Sequence, residues 1–403
     1  MFIINRILSS KISNFLKFRS LNLIEKGGRY FSKIAYSKIG EEINGRNAPR
    51  ALMIVPTQSI DFYVQNRYQE GLHTTMHNIY FQFLAMLNSL VENGFVVDCV
   101  EKDTLEPFVD TSIYQLILDE GDSLVYLPKI KNQKMIFFCT GTKWNRWNND
   151  EMRRIDWFRQ EYNIFVKPSR QVKPVFSDQT ADYILYKGVP EQMLDFNPKA
   201  ELVQLAMPVE YEPKNVIRDF SQREFVWIGG WGAIHKGLDI VIDAFEKMPE
   251  LRLNIFGAID KEAFVMQWMK GKLEVNKNII YHGYANYQTA DFQKIMSRCA
   301  GHVYPSAGEN GCATLAQTAH YGLIPIITDT ANNQANHLGY NIEGANRSDM
   351  IGSICRSVGI VASMKDKELE ERACGIMDFA KTKFTREAFI SSFNDFLFKS
   401  NLS

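Results

Sequence analysis

Residues 225–257 read FVWIGGWGAIHKGLDIVIDAFEKMPELRLNIFG, in which an apolar run, a glycine-rich turn, an amphipathic run and a second apolar run follow one another. Similar β-rich runs begin at positions separated by 28, 26, 23 and 22 residues, about the length of one strand, one helix and two loops. These runs begin at Phe225, Leu253, Ile279, His302 and Ile324. The repeat predicts a doubly wound parallel sheet, whose ligands bind at the carboxyl ends of the strands.

The chain before this repeat alternates in the same way. Between residues 51 and 205, short apolar runs are separated by text with helical periodicity, and the runs lie at 51–55, 95–100, 114–118, 134–139, 183–186 and 202–205. Such alternation is typical of a parallel sheet with both faces covered. We therefore predict an α/β protein with two doubly wound, Rossmann-like domains that face a cleft.

The predicted domain boundaries follow changes in the sequence pattern. Residues 1–46 form an N-terminal extension, residues 47–206 the first domain and residues 207–384 the second domain. The two domains are joined by a linker, MPVEYEPK, at 207–214. Residues 385–403 predict a last helix with one apolar face, which packs either on the second domain or back across the cleft on the first.

Charge is distributed unevenly along the chain. The 46 basic and 46 acidic residues give a formal charge of zero, but residues 1–46 hold nine basic residues against three acidic ones and carry +6. Apolar residues recur there at helical spacing, at Ile4, Ile7, Leu8, Ile12, Phe15 and Leu16. Such a helix either binds an anionic membrane surface or packs on the domain behind it. The first interpretation predicts a cytoplasmic protein held peripherally, through residues 1–40, on the inner face of the cell membrane.

Composition argues against several classes of protein. A net charge of zero argues against a chain that coats nucleic acid, and 45% apolar with 23% charged residues argues against long disorder. No apolar run approaches the roughly 18 residues of a membrane-spanning helix. The six cysteines are scattered without a CxxC pair, so neither a zinc site nor a disulfide framework is indicated.

The first candidate site is the turn after residues 225–228. Gly229, Gly230 and Gly232 let a loop bring its amides close to an anion, and the N-terminus of the next helix adds a favourable dipole. Lys236 lies in the first turn of that helix, where a cation is disfavoured unless an anion sits beside it. The turn matches neither the Walker loop nor the GxGxxG motif. It is therefore either a phosphate-binding loop or an ordinary strand–helix turn.

The second candidate site follows the run that begins at His302. A carboxylate on a glycine-flanked turn at the carboxyl end of a strand accepts hydrogen bonds from ligand hydroxyls, and the amides after it point toward the same space. The residues of this turn are Ser306, Glu309, Asn310 and Gly311. The alternative is that Glu309 only stabilises the N-terminus of its own helix.

Two further groups of candidate residues follow the ends of predicted strands. His282 and Gly283 follow a strand of the second domain, in a turn that either packs against a nucleotide base or only connects two elements. In the first domain, His73, His77, Thr140 and Thr142 are predicted to face the cleft, although a structural histidine is the more common case. An aromatic and basic stretch beyond them either binds a ligand or packs as a helix; it contains Trp144, Arg146, Trp147, Arg153 and Arg154.

Together with residues 302–329, which read HVYPSAGENGCATLAQTAHYGLIPIITD, the stretch at 225–257 resembles the donor domain of GT-B glycosyltransferases, most closely those of family 4. Proteins of that family have an apolar strand, glycine, a short loop, Lys-Gly and an amphipathic helix, followed later by a PS-x-x-E-G element, a helix and G-x-P-x-I. Residues 225–330 carry the resemblance specifically, residues 51–205 match only in architecture, and residues 1–46 do not match.

The resemblance implies roles for several residues. Lys236 matches the lysine that contacts the donor diphosphate, and Glu309 matches the first acid of an E-x7-E element, which contacts the transferred sugar. The second acid, at the ribose position, is Gln317 here. The arginine that the family places shortly before the lysine is also missing, because the chain has Gly230 and Trp231 at that point.

The activity implied is transfer of a sugar from a UDP- or GDP-sugar donor to a glycan or lipid-linked acceptor, in synthesis of cell-surface polysaccharide or lipopolysaccharide. The resemblance makes the cleft face of the first domain, with His73, His77, Thr140 and Thr142, the acceptor side, and a sugar or a lipid diphosphate the ligand of the aromatic and basic stretch. The family's enzymes retain anomeric configuration and require no metal or other cofactor. Because Gln317 and the missing arginine depart from the pattern, a second hypothesis is a catalytically silent GT-B protein that binds nucleotide or glycan, or that serves as a scaffold in polysaccharide assembly. A sugar-nucleotide epimerase of the same fold is a third.

Overall fold

The computed structural model describes residues 35–58, 60, 78–102 and 110–402, and these residues form two sheets covered by helices. We call the chain up to residue 206 the first half and the chain from residue 207 the second half. The first sheet contains β1 (Tyr36–Ile39), β2 (Arg50–Val55), β3 (Val96–Glu101), β4 (Leu116–Asp119), β5 (Lys134–Phe138), β6 (Tyr183–Tyr186) and β7 (Glu201–Gln204). The second contains β8 (Glu224–Ile228), β9 (Leu253–Phe256), β10 (Ile279–Tyr281), β11 (Cys299–Tyr304), β12 (Ile324–Ile327) and β13 (Tyr340–Asn341).

Helices connect and cover these strands. In chain order they are α1 (Glu41–Asn44), α2 (Asn78–Glu92), α3 (Trp144–Tyr162), α4 (Leu238–Glu246), α5 (Ala263–Val275), α6 (Ala290–Arg298), α7 (Ala313–Ala319), α8 (Arg347–Ser363), α9 (Asp366–Lys383) and α10 (Arg386–Lys399). Short 3-10 turns lie at Thr111–Ile113, Leu124–Tyr126, Ser177–Gln179, Pro190–Met193, Ile259–Lys261, Asp329–Ala331 and Asn336–Leu338.

The first sheet is parallel except at one edge. Its strand order is β1-β3-β2-β4-β5-β6-β7, and only β1 is antiparallel to its neighbour, with Tyr36 opposite Cys99. The amide of Lys38 also donates to the buried carboxylate of Asp98 at 2.6 Å. Residues 36–44, which the sequence pattern assigned to the N-terminal extension, therefore form part of the first sheet and its flank. Their short length and mixed polarity explain why the pattern did not reveal them.

The second sheet is parallel throughout, in the order β10-β9-β8-β11-β12-β13. Its strands β8 and β11 are hydrogen-bonded neighbours although about 70 residues separate them. The loops that follow these two strands therefore lie side by side at the carboxyl edge. The predicted α/β class, with two parallel sheets, is confirmed.

The last helix crosses from the second half to the first. Phe389, Phe393 and Leu397 of α10 are buried in the same core as Ala51 and Met53 of β2. The polar side chain of Ser392 joins the contact by accepting a hydrogen bond from the amide of Ala206 at 3.1 Å. Of the two positions that the sequence left open for this helix, the structure thus has the one on the first half.

Helix α3 packs against the other half of the molecule. Ile155 and Phe158 lie in the core built mainly by the second half, although α3 precedes β6 in the chain. Trp147 and Arg154 are buried, and Arg154 donates to the carbonyl of Pro305 at 2.8 Å. Trp147 and Arg154 of the aromatic and basic stretch therefore serve in packing between the two halves, whereas Arg153 of the same stretch is exposed.

In the described part of the chain, no helix combines the length and the apolar character that crossing a membrane requires. The proposed membrane-binding residues lie mainly outside the described residues, which begin at residue 35.

Candidate functional site

A close approach of two loops forms the site at the carboxyl edge of the second sheet. Gly237, which precedes α4, has a φ of 74°, a left-handed conformation that favours glycine. A Cβ atom at this position would lie 2.6 Å from Cγ and 2.7 Å from the carbonyl oxygen of Pro305. Glycine at 237 therefore allows the loop after β8 to touch the loop after β11, and it brings Lys236 next to Glu309.

Lys236 and Glu309 form an ion pair that is largely removed from solvent. The side chain of Lys236 is 9% exposed and that of Glu309 15% exposed. Tyr304, at the end of β11, joins the pair, because its hydroxyl accepts from Lys236 Nζ at 2.8 Å and donates to Glu309 Oε1 at 2.9 Å. Ser306 Oγ lies 3.5 Å from the same carboxylate oxygen. The structure thus brings together three of the predicted site residues and adds Tyr304, which the sequence did not single out.

The charges around Glu309 keep its carboxylate ionised. Burial alone would raise the pKa of this group, but the charges of Lys236 and Arg170 and the hydrogen bond from Lys236 lower it to about 2. Burial and the charge of Lys236 also lower the pKa of the neighbouring His235 to about 3. A neutral His235 donates from Nε2 to the carbonyl of Gly308 at 3.1 Å, since a carbonyl only accepts.

The glycine-rich turn holds a carboxylate of the protein itself. The amides of Gly232 and Ala233 donate to Glu262 Oε1 at 2.9 and 3.0 Å, just before α5 begins. Burial raises the pKa of Glu262 above its usual range despite these bonds. Gly229 donates to the carbonyl of Phe256 at 3.0 Å, whereas Gly230 has open space around it. These two amides are thus occupied by a carboxylate of the protein itself, and phosphate binding by the turn remains a prediction.

Two predicted donor-binding positions are occupied by contacts within the protein. The side chain of Asn310 accepts from the amides of Lys187 and Gly188 at 2.8 and 3.0 Å and donates to the carbonyl of Cys139 at 3.0 Å. The amide of Gly311 donates to the carbonyl of Asn332 at 2.8 Å. Asn310 therefore links the two halves, and the Gly311 amide is not free to hold a sugar, because the chain after β12 runs alongside it.

Gln317 is also engaged by the protein. It lies buried in α7, where its Oε1 accepts from the amide of Tyr211 at 3.1 Å and its Nε2 donates to the carbonyl of the same residue. These bonds pin the linker between the halves to α7. Ribose binding by Gln317 remains a prediction. It requires one polar atom of the Gln317 side chain to bond to Tyr211 and to a ribose hydroxyl at the same time.

His282 and Gly283 lie at the end of β10. The imidazole is stacked on Phe256 at 4.7 Å, and its Nε2 is 2.8 Å from Oδ1 of Asn254. Gly283 has a φ of 78° and accepts from the amide of Gly257 through its carbonyl at 2.7 Å. Both residues thus help to hold the turn against β9, and their contact with a nucleotide remains a prediction.

The predicted acceptor side is only partly described, because His73 and His77 lie outside the described residues. Thr140 follows β5 and donates to Glu120 at 3.0 Å, and Glu120 is paired with Lys102 at 2.6 Å. Thr142 is buried opposite Gly308, where a Cβ atom on the glycine would lie 3.5 Å from its hydroxyl. Thr140 thus belongs to a charged cluster at the carboxyl edge of the first sheet, whereas Thr142 belongs to the contact between the halves.

A buried lysine at the same edge was missed by the sequence reasoning. Lys187 follows β6, is 3% exposed, and donates to Gln82 at 3.0 Å while lying 4.3 Å from the ring centre of Phe138. Burial lowers its pKa to about 8. Nothing in the local sequence around Lys187 distinguishes it from a surface lysine, so only the fold reveals it.

Within the described ranges, no group of three or more His, Cys, Asp or Glu side chains is arranged to hold a metal ion. Surface cavities of about 610 and 620 Å³ lie elsewhere, one against residues 129–134 and Asp182 and the other between α4 and α8. Neither is lined by Lys236 or Glu309.

Known structures share this arrangement of two sheets. Sucrose-phosphate synthase from Thermosynechococcus elongatus superposes with a TM-score of 0.54 at 10% identity, over 87% of this chain and 99% of that one. Anabaena Alr3699/HepE in complex with UDP-glucose gives 0.52 at 10% identity and the same coverages. The chain has the GT-B fold. At 10% sequence identity, the structural similarity to these two proteins establishes the GT-B fold and nothing beyond it.

Longer GT-B proteins match in part. The chain spans 57% of the pneumococcal O-GlcNAc transferase GtfA and 54% of S. aureus TarM, at 13% and 15% identity. No protein-family model and no curated protein sequence matches the chain.

Proposed function

We propose that this protein is a glycosyltransferase that moves a sugar from a UDP- or GDP-sugar to a glycan or lipid-linked acceptor bound between the halves. The observation that carries the proposal is the buried Lys236–Glu309 pair at the carboxyl ends of adjacent strands β8 and β11 in a GT-B fold. Ligands of doubly wound sheets bind at that edge. Anabaena Alr3699/HepE, which shares the fold, has been solved in complex with UDP-glucose.

Each member of the pair has a chemical role in this proposal. The ammonium of Lys236 stabilises the negative charge that develops on the departing nucleoside diphosphate. The ionised carboxylate of Glu309 accepts hydrogen bonds from sugar hydroxyls and orients the ring. We further propose retention of anomeric configuration and transfer without a metal ion, in synthesis of cell-surface polysaccharide or lipopolysaccharide.

Titration calorimetry with UDP, GDP and their common sugar conjugates tests the binding step, and a transfer assay with the donors that bind tests turnover. We expect Lys236→Ala and Glu309→Ala to lower the transfer rate by at least about a hundredfold. Lys294→Ala and Glu274→Ala change exposed residues of the same half and serve as matched controls. Rates within a factor of two of wild type in both site variants would refute the assignment.

A catalytically silent GT-B protein is the second candidate. The contacts that favour it are the bond from the Gly311 amide to the carbonyl of Asn332 and the bonds of Gln317 to Tyr211, which occupy two predicted donor-binding groups. Binding of a nucleotide-sugar without transfer or hydrolysis across a panel of acceptors would support this candidate. Product formed without an acceptor would instead indicate an epimerase.

Attachment to an anionic membrane surface is proposed separately. Residues 1–34 hold seven basic residues and one acidic residue, and apolar residues recur there at helical spacing. Because β1 pairs with β3, the deletion that tests attachment ends at residue 34 and leaves Tyr36–Ile39 in place. The full chain is expected to sediment with phosphatidylserine-containing vesicles at low salt and to be released by high salt or by the deletion. Equal sedimentation of both proteins would contradict this proposal.

A further inference from the structure

Arg170 lies beside the candidate site, and its backbone is fixed in place. The amides of Ser169 and Arg170 both donate to Glu151 Oε1, at 2.9 and 2.6 Å, and Glu151 is buried. The carbonyl of Arg170 accepts from the indole of Trp147 at 2.6 Å. Trp231 donates to the carbonyl of Ser169 at 3.0 Å, which ties the segment to the glycine-rich turn. These hydrogen bonds therefore fix the backbone of Arg170.

The side chain of Arg170 crosses from the first half onto the glycine-rich turn. A Cβ atom on Gly232 would lie 2.4 Å from Cγ and 2.7 Å from Cδ of Arg170, so the stem rests directly on that glycine. The guanidinium lies 5.3 Å from the ring centre of Trp147, whose ring in turn lies 4.8 Å from that of His235. These contacts place the Arg170 side chain against the glycine-rich turn that precedes Lys236.

The guanidinium of Arg170 acts on the site through its charge and lacks a bonded acceptor. After Lys236, it contributes most to lowering the pKa of Glu309, and it also opposes the rise in the pKa of Glu262. Within the described part of the chain, its nitrogens form no hydrogen bond or ion pair, and Nε is buried. A guanidinium has five N–H donors, and one that is partly buried without an acceptor is suited to an anionic ligand.

We propose that Arg170 binds the diphosphate of the nucleotide-sugar donor, opposite Lys236 and beside the amides of Gly232 and Ala233. This inference rests on the proposed function. Lys236 is already paired with Glu309, whereas the Arg170 guanidinium has no bonded carboxylate among the residues that the structure describes. Its planar fork matches two oxygens of a phosphate group. Because Arg170 belongs to the first half, a donor bound in this way contacts both halves.

Calorimetric titration of the full chain with UDP, GDP, uridine and guanosine tests this role. Arg170→Met keeps the stem on Gly232 and Trp147 but removes the charge, and Arg170→Lys keeps the charge but removes the fork. We expect Arg170→Met to weaken binding of the nucleoside diphosphate at least about tenfold, with a smaller loss in Arg170→Lys. Binding of the matching nucleoside is expected to change less than twofold. Arg159→Met, an exposed position on α3, is the matched control.

The outcomes separate this inference from the proposed function. If wild type binds a nucleoside diphosphate and both Arg170 variants bind it within twofold of wild type, the role of Arg170 is wrong while the proposed function stands. If Arg170→Met loses the nucleoside and the diphosphate equally, the residue is structural and the inference also fails. If wild type binds neither UDP nor GDP, both proposals fail. Should Arg170→Met not fold, Arg170→Lys decides, since a fork-dependent contact predicts a loss specific to the diphosphate.

Discussion

At the scale of single residues, the Lys236–Glu309 ion pair is expected to stabilise the folded protein in addition to its proposed role in sugar transfer. Removing one partner of a buried ion pair leaves the other charge without compensation, which costs about 3–5 kcal/mol, whereas replacing both with apolar groups costs much less. We expect Glu309→Leu and Lys236→Met each to lower the free energy of unfolding by about 3 kcal/mol. The double variant is expected to lose less than the sum. Urea unfolding of the four proteins measures this coupling, and additive losses would contradict a direct interaction.

Protonation of Glu309 gives a second expectation, for stability against pH. Its pKa is lowered from 4.5 to about 2 in the folded protein, so its contribution is fully present above pH 4.5 and is lost as the pH falls toward 2. Between pH 7 and pH 4, the stability difference between wild type and Glu309→Gln should shrink by about 1 kcal/mol. Chemical unfolding of both proteins at the two pH values measures it. A difference that does not change with pH would mean that Glu309 has an ordinary pKa.

The sequence made some of these residues predictable and not others. Lys236 and Glu309 follow apolar runs, and the carboxyl ends of parallel strands share one edge, so the repeat places both residues at the same edge of the sheet. Arg170 comes 66 residues before Lys236 (236 − 170), in an irregular segment without a motif. The link that the Asn310 side chain makes between the halves could not be predicted, because a local motif cannot show that Lys187 and Cys139 reach it.

At the scale of elements, α10 belongs to the second half in sequence but packs in the core of the first half. Phe393 is 1% exposed and Phe398, on the same helix, is 74% exposed. Phe393→Ala is expected to lower the free energy of unfolding by about 3–5 kcal/mol because it leaves a cavity in the first core. Phe398→Ala, the matched control, is expected to cost less than about 0.5 kcal/mol. Similar costs for both changes, measured by thermal or urea unfolding, would mean that α10 is not docked.

Strands that belong to the repeat could be predicted from the sequence. Elements whose position depends on the surface against which they pack could not. Five strands of the second sheet, β8 to β12, begin within a few residues of the predicted runs, because four of them are fully buried and β10 is buried at its first residue. The antiparallel edge strand β1 was missed, since its pattern of one buried residue among exposed ones carries little signal. Periodicity revealed an apolar face on residues 385–403, but it cannot show which core that face enters.

At the scale of the whole molecule, amide side chains connect the halves. Asn310 bonds to backbone groups at residues 139, 187 and 188, Asn332 accepts from the amide of Val189 at 2.7 Å, and Gln334 donates to the carbonyls of Lys187 and Leu205 at 2.8 Å. These bonds join the loops after β11 and β12 to the residues that follow β5, β6 and β7. Because they meet beside Glu309, the proposed site and the contact between the halves share one loop.

Asn310 is therefore expected to determine how tightly the halves are joined. Asn310→Ala leaves the amides of Lys187 and Gly188 without an acceptor and the carbonyl of Cys139 without its donor, all in a buried place. We expect a loss of about 2–4 kcal/mol in the free energy of unfolding, together with faster hydrogen exchange at residues 187 and 188. Asn341→Ala removes only an exposed bond to Glu343 and should cost less than about 0.5 kcal/mol. If these bonds hold the halves together, removing their acceptor must leave the amides of residues 187 and 188 open to exchange with solvent. The same exchange rate in Asn310→Ala and in wild type would therefore contradict this role of Asn310.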